Sequence, residues 1–99
     1  MEFIQIIDYE TDQPEQMQAL ADQFRKEQEG KPGGPVRITV MQDRSNRKRH
    51  LTIAEFESYE EAQRNNDRPE VQKFAEQMQS LCSKPPVFTD CDLRQQFSR

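Results

Sequence analysis

The sequence contains few of the residues from which most recognisable sites are built. Its 99 residues include one histidine, two cysteines and no tryptophan. Cys82 and Cys91 form no CxxC motif and no cluster with histidine, so we expect no metal site. Cys82 lies at the end of a predicted helix and Cys91 well along the following predicted strand. At ~3.3 Å per strand residue, we expect the two cysteines to be about 15 Å apart. A disulfide needs Cα atoms within about 7 Å, so we expect two reduced thiols.

Long apolar runs are also missing. Only 32% of the residues are hydrophobic, the mean hydropathy is −1.11, and no run approaches the ~20 residues of a membrane span. The first ten residues, MEFIQIIDYE, are acidic and unlike a signal peptide. We therefore expect a cytoplasmic protein without a membrane partner. The net charge of −4 argues against general nucleic-acid binding, which needs a basic surface.

The arrangement of the apolar residues predicts one small α+β domain over residues 1–93, with 94–99 as a loose C-terminal tail. The first helix is predicted from an apolar face formed by Met17, Leu20, Ala21 and Phe24. It follows a capping-box-like pair, Asp12 and Glu15, and ends at Gly30. Alternating apolar residues predict four strands, which cover Phe3–Tyr9, Val36–Asp43, His50–Phe56 and Val87–Leu93.

The second helix is predicted in two pieces. Ser58 and Glu61 form an S-x-x-E capping box, which starts the first piece at Tyr59. Weak helix formers at 65 and 66 precede Pro69, which ends that piece and is suited to open the next. The second piece has one apolar face, formed by Val71, Phe74, Ala75, Met78, Leu81 and Cys82.

The order β-α-β-β-α-β is that of a ferredoxin-like antiparallel sheet with two helices on one face. A chain of this size buries only roughly 60–65% of its unfolded surface, so its core is thin. We expect the sheet face away from the helices to be apolar, and an uncovered apolar face marks an interface. A second copy related by two-fold symmetry is the simplest cover. The residues assigned to this face are Phe3, Ile7, Tyr9, Met41, Ala54 and Phe56.

Three motifs carry a family resemblance: F-E-S-Y-E-E-A-x-x-N at 56–65, R-P-E-V-Q-K-F-A at 68–75 and K-P-P-V-F at 84–88. They resemble small bacterial proteins of the dimeric α/β-barrel superfamily, related to antibiotic-biosynthesis-type monooxygenases. The resemblance implies two ferredoxin-like subunits that pair into a barrel. The superfamily also includes haem-degrading, dehalogenating and decarboxylating enzymes and members with no known activity. The motifs therefore indicate architecture better than reaction.

The resemblance also bears on chemistry. Haem-degrading members use a tryptophan, an asparagine and a histidine together, and the absence of tryptophan here argues against that activity. Cofactor-independent monooxygenases of the superfamily act on electron-rich aromatic substrates with tyrosine, tryptophan, asparagine and arginine side chains. Residues of these types are available at Tyr9, Arg37, Tyr59 and Asn65. No cofactor is expected, and the catalytic residues remain unassigned.

A ligand site is predicted between the sheet and the helices, beside the helix break. A break leaves backbone groups without helical partners, which side chains, water or a ligand must satisfy. The predicted lining is His50, Tyr59, Asn65 and Asn66, with Phe24 and Phe74 as an apolar wall. Each has a structural alternative: His50 as a polar residue at the mouth of a strand, and the asparagines as helix caps.

The basic turn Arg44–Arg49 is interpreted as a solvated hairpin turn rather than an anion site. RNA-recognition domains share this element order, but they need aromatic residues in the middle of the first and third strands. The third strand, HLTIAEF, has only Phe56 at its end, which excludes that class. The predicted function is a homodimer that binds a small hydrophobic or aromatic ligand. The alternative is a cofactor-independent monooxygenase acting on an aromatic or polyketide-like substrate.

Overall fold

Four strands form one antiparallel sheet in the computed structural model, which describes residues 2–99. The strand order is β2-β3-β1-β4, so the first strand lies in the middle and the last at an edge. This order confirms the predicted ferredoxin-like fold. The strands are β1 (Phe3–Glu10), β2 (Arg37–Gln42), β3 (Arg49–Phe56) and β4 (Val87–Asp92).

Three helices accompany the sheet: α1 (Pro14–Gln28), α2 (Tyr59–Asn66) and α3 (Pro69–Ser80). The predicted capping role of Asp12 is wrong, because Gln13 is the N-cap and makes no side-chain cap bond. Asp12 instead pairs with Lys48 at 2.8 Å. The Thr11 hydroxyl accepts a hydrogen bond from the Gln13 N–H at 3.0 Å and donates to the Leu81 carbonyl at 2.6 Å. Thr11 thus joins the start of α1 to the end of α3.

The predicted corner between α2 and α3 is confirmed. The Ser58 hydroxyl accepts the Glu61 N–H at 3.1 Å, as an N-cap does. Pro69 lies in the first turn of α3, where its missing N–H would have had no helical partner. Arg68 holds the corner together: its guanidinium pairs with Glu70 at 2.8 Å and also bonds to Gln28 of α1.

The core lies between α2 and the Phe3 face of the sheet. Phe3, Ala54 and Phe56 pack with Ala62 of α2 in one buried cluster. Tyr59 of α2 also meets Phe3, with ring centroids 5.2 Å apart in an edge-to-face arrangement. Since alternate strand residues share a face, β1 turns its odd-numbered side chains towards the helices.

The sheet face predicted to meet a second copy of the chain is therefore the wrong one. Of the six residues proposed for it, only Met41 lies on the face away from the helices; the other five, Phe3, Ile7, Tyr9, Ala54 and Phe56, lie on the helix side by strand register. The reason is that a period of two shows which residues share a face but not which face the helices cover.

The open face of the sheet is nevertheless apolar at its centre, where Ile4 and Ile6 lie beside Ile53 and Leu51 by strand register. Val87, on the edge strand of this face, is 59% exposed. Ion pairs lie at both ends of the apolar centre: Arg37 with Glu55 at 3.0 Å, and Arg49 with Asp8 at 2.8 Å and Asp43 at 3.1 Å. Hydrogen bonding to Arg49 holds the pKa of Asp8 below its usual value.

Residues 93–99 contain no helix or strand, and Phe97 among them is 85% exposed. Both cysteines are free thiols, as predicted. No helix within residues 2–99 has the length and apolar character needed to cross a membrane. Nor does this part of the chain bring three metal-ligating side chains together.

The corner generates a paired prediction. Ser58→Ala should lower the free energy of unfolding by about 1 kcal/mol, because it removes the hydroxyl that caps α2. Pro69→Ala should cost less than ~1 kcal/mol, because no hydrogen bond is lost and only the preset φ is relaxed. Urea unfolding followed by circular dichroism measures both. A larger loss for Pro69→Ala than for Ser58→Ala would contradict this account of the corner.

Candidate functional site: a cleft between α2 and the sheet

A cleft of about 380 Å³ opens between α2 and the edge of the sheet formed by β1 and β4. The helix provides one wall and the helix-facing side of the two strands provides the other. It lies beside the helix break, where the ligand site was predicted. The cleft is lined by Phe3, Gln5, Tyr59, Ala62, Gln63, Asn66, Asp67 and Asp90.

Two aromatic rings form the apolar part of the cleft. Phe3 is 4% exposed and Tyr59 is 47% exposed, so the first ring is a fixed wall and the second has a face available. Ala62, which is 2% exposed, lies below them with only a methyl group. The capping box places Tyr59 in the first turn of α2, and the alternation of β1 directs Phe3 towards it.

A hydrogen-bonded amide and carboxylate form the polar part of the cleft. The Gln5 side-chain amide donates from Nε2 to Oδ1 of Asp90 at 3.2 Å. The two residues are direct partners across β1 and β4. Both lie on the side of the sheet that faces the helices, where β1 otherwise presents Phe3, Ile7 and Tyr9.

Two backbone amides at the helix break already have partners within the chain. The Asp67 N–H bonds to the Gln63 carbonyl at 3.0 Å, and the Arg68 N–H to the Asn65 carbonyl at 3.2 Å. These two amides are satisfied by nearby carbonyls, and the Gln72 side-chain amide donates to the Asn66 carbonyl at 3.2 Å. That backbone groups at the break bind a ligand stays a prediction. Asn66 and Asp67 reach the cleft because α2 ends beside it.

Asn65 lies on the other side of α2, in a second cleft of about 310 Å³. Its side-chain oxygen accepts from Arg68 Nη1 at 3.4 Å. Arg64 in this cleft pairs with Glu61, and Arg68 pairs with Glu70. The positive charges of the second cleft are therefore largely matched by acidic side chains. The second cleft is lined by Pro32, Gly33, Gly34, Glu61, Arg64, Asn65 and Arg68.

His50 lies at the other end of the sheet from the cleft. Its ring stacks on Tyr9 with centroids 5.3 Å apart, and Nδ1 lies 3.2 Å from the Lys48 carbonyl. Burial raises the pKa of Tyr9, against a smaller opposing effect of its hydrogen bond with Thr52. Tyr9 is six residues along β1 from Phe3, or roughly 20 Å at ~3.3 Å per residue. His50 is therefore remote from the cleft.

The predicted wall of Phe24 and Phe74 is a contact between α1 and α3. The two rings stack with centroids 4.3 Å apart, so they bury each other. Of the predicted site residues, Tyr59 and Asn66 line the cleft, while His50, Asn65, Phe24 and Phe74 lie elsewhere. Arg37, considered as a pocket residue, pairs with Glu55 on the open face.

Sequence reasoning missed Gln5 and Asp90. The available signal was Gln5 itself, the polar residue in the alternating series Phe3, Gln5, Ile7, Tyr9.

The basic turn is partly neutralised within the chain: Lys48 pairs with Asp12, and Arg49 with Asp8 and Asp43.

No protein-family model matches the sequence, and no curated protein is significantly similar to it. Solved structures resemble it along almost its whole length. A mutant of SnoaB, a cofactor-independent oxygenase from Streptomyces nogalater, is 16% identical, with 99% of this chain and 98% of that one covered at a TM-score of 0.84. Rv0793 from Mycobacterium tuberculosis is 13% identical, with coverage of 99% and 100% and a TM-score of 0.79.

A candidate antibiotic biosynthesis monooxygenase from Nitrosomonas europaea has a TM-score of 0.75 at 11% identity, with 91% of this chain and 88% of that one covered. At such identities the likeness concerns the fold. The chain therefore has the ferredoxin-like fold of these small proteins, which is the fold that the resemblance of its motifs implies.

Proposed function

We propose that the protein binds a small aromatic molecule in the cleft between α2 and the sheet. The observation that supports this is the combination of the Phe3 and Tyr59 rings with the Gln5–Asp90 pair in one cavity. A small-molecule site usually combines an apolar wall with polar groups that orient the ligand; here Phe3, Tyr59 and Ala62 form the wall and five polar side chains surround it. The volume of about 380 Å³ lies at the lower end of the ~300–1,000 Å³ typical of such sites, which suits a ligand of a few rings.

The two parts of the cleft have different roles in this proposal. An aromatic ligand gains from offset or edge-to-face contact with the exposed ring of Tyr59, worth about 0.5–1.5 kcal/mol beyond the area that it buries. Burying ~100 Å² of apolar ligand surface adds about 2.5 kcal/mol. Asn66 and Gln63 supply amide groups at the helix side, which orient polar substituents.

Adjacent asparagines provide a matched test. Asn66→Ala should weaken binding of β-naphthol roughly 3- to 10-fold, the loss expected for one neutral hydrogen bond. Asn65→Ala, whose side chain lies in the other cleft, should leave the affinity unchanged. Isothermal titration calorimetry measures both. Equal losses for the two variants, or no binding to the wild type, would contradict a site at this cleft.

A second candidate function is cofactor-independent oxygenation of a bound hydroxyaromatic. The fold likeness to SnoaB, a cofactor-independent oxygenase, favours it. The cleft offers groups that suit it: an aromatic wall that holds the ring, and acceptors on Gln5, Asp67 and Asp90 that receive hydrogen bonds from a hydroxyl group. A hydroxyaromatic becomes more electron-rich as its hydroxyl proton is drawn to an acceptor, which favours reaction with oxygen.

Oxygen uptake separates the two candidate functions. With naphthalene diols as substrates and no added cofactor, an oxygenase should consume oxygen faster than the same mixture with heat-denatured protein. Asp90→Asn should lower that rate by about 10-fold or more, since it removes a charged acceptor beside the substrate. If the substrate binds but oxygen uptake does not exceed that of the denatured control, the ligand-binding function is supported and the oxygenase is excluded.

We further propose that a second copy of the chain covers the open face of the sheet. This face has an apolar centre of Ile4, Ile6, Leu51 and Ile53 with ion pairs at both ends. An apolar patch rimmed by polar groups is characteristic of an interface. The ion pairs are already matched within one chain, so two such faces can meet without leaving unpaired charges. The same face on both partners is what two-fold symmetry requires.

Ile53→Asp tests this pairing because it places a charge in the apolar centre. A charge buried without a partner should cost at least about 3 kcal/mol, or over 100-fold in the dimer dissociation constant. Val40→Asp on the opposite side of the sheet is the matched control and should leave dimerisation intact. In sedimentation equilibrium at micromolar concentration the wild type should show twice the 11.7 kDa chain mass. A monomeric wild type would exclude the pairing.

A further inference from the structure

Gln5 is a polar residue on the core side of β1, and it pairs with Asp90 of the exposed edge strand β4. On the same face of β1, Phe3 and Tyr9 are 4% and 6% exposed, so this side of the strand is the core side. Gln5 and Asp90 are already aligned by the backbone pairing of β1 with β4. Their side-chain bond is exposed to solvent, and such a bond adds little to stability.

We propose that this pair selects the class of ligand: molecules that donate a hydrogen bond through a neutral hydroxyl or an amine, and not anions. The inference rests on the proposed aromatic-binding function of the cleft. It goes further by assigning the selection to two side chains, one of which fixes the other.

The hydrogen bond determines which atoms remain for a ligand. Gln5 donates through Nε2 to Oδ1 of Asp90, so the carboxylate is held in place by the amide. The second carboxylate oxygen, Oδ2, and the amide oxygen of Gln5 are both acceptors. A ligand hydroxyl or ammonium can satisfy them, whereas a ligand carboxylate would place like charges against each other.

The other lining residues carry no positive charge that would compensate an anion. Asp67, at the end of α2, adds a second carboxylate to the cleft, and its lining residues include no lysine, arginine or histidine. The nearest arginines along the chain, Arg64 and Arg68, line the other cleft. Lys84, which precedes β4, pairs with Glu10 at 3.5 Å, at the opposite end of β1 from the cleft.

Three probes that share one ring system test the proposal: β-naphthol donates a hydrogen bond, β-methoxynaphthalene does not, and β-naphthoate is an anion. At neutral pH the wild type should bind naphthol about 10-fold or more tightly than either of the others, since a hydrogen bond to a charged group is worth about 1.5–3 kcal/mol. Asp90→Asn should reduce the ratio of the naphthol affinity to the naphthoate affinity to about threefold or less. Isothermal titration calorimetry gives the ratios.

Asp92→Asn is the matched control, because it removes a carboxylate from the same strand, two residues beyond Asp90 and outside the cleft lining. It should retain the wild-type ratio. If the wild type binds naphthoate as tightly as naphthol, or if Asp90→Asn keeps the wild-type ratio, the selection is overturned while the cleft stands as a binding site. If none of the three probes binds, the proposed function and the selection both fall.

Discussion

The packing of Ala62 against Phe3, Ala54 and Phe56 is the contact on which the rest of the candidate site depends. A methyl group at this position lets α2 lie close to the sheet, and a larger side chain would hold the helix away. With the helix held there, its two flanks open into separate clefts. Neighbouring residues Asn65 and Asn66 consequently line different cavities.

A thin core explains why the molecule leaves so much apolar surface uncovered. The helices cover the centre of one sheet face, but Ile38 and Phe88 on that side remain 46% and 53% exposed at the two edge strands. None of the helices within residues 2–99 lies on the other face. This uncovered apolar surface is the physical basis of the proposed pairing with a second copy.

Part of the candidate site follows from local sequence. A capping box begins α2 at Tyr59, and Pro69 ends it near Asn66, so both residues were expected beside a helix break. Gln5 and Asp90 were not found because 85 positions separate them. They meet only because β1 and β4 pair antiparallel in one register. His50 was a reasonable candidate by residue type, but strand register places it beside Tyr9 at the other end of the sheet.

The sequence by itself determined the kinds of element, their order and most of their boundaries, because alternation, capping and proline geometry act within a few residues. Tertiary structure alone decided which sheet face the helices cover. A strand that is apolar on both sides carries no local mark of its covered face, so Phe3 and Phe56 were assigned to the wrong one. Tertiary structure also decided where the cleft lies, because its walls come from β1, α2 and β4 and meet only when the sheet is assembled.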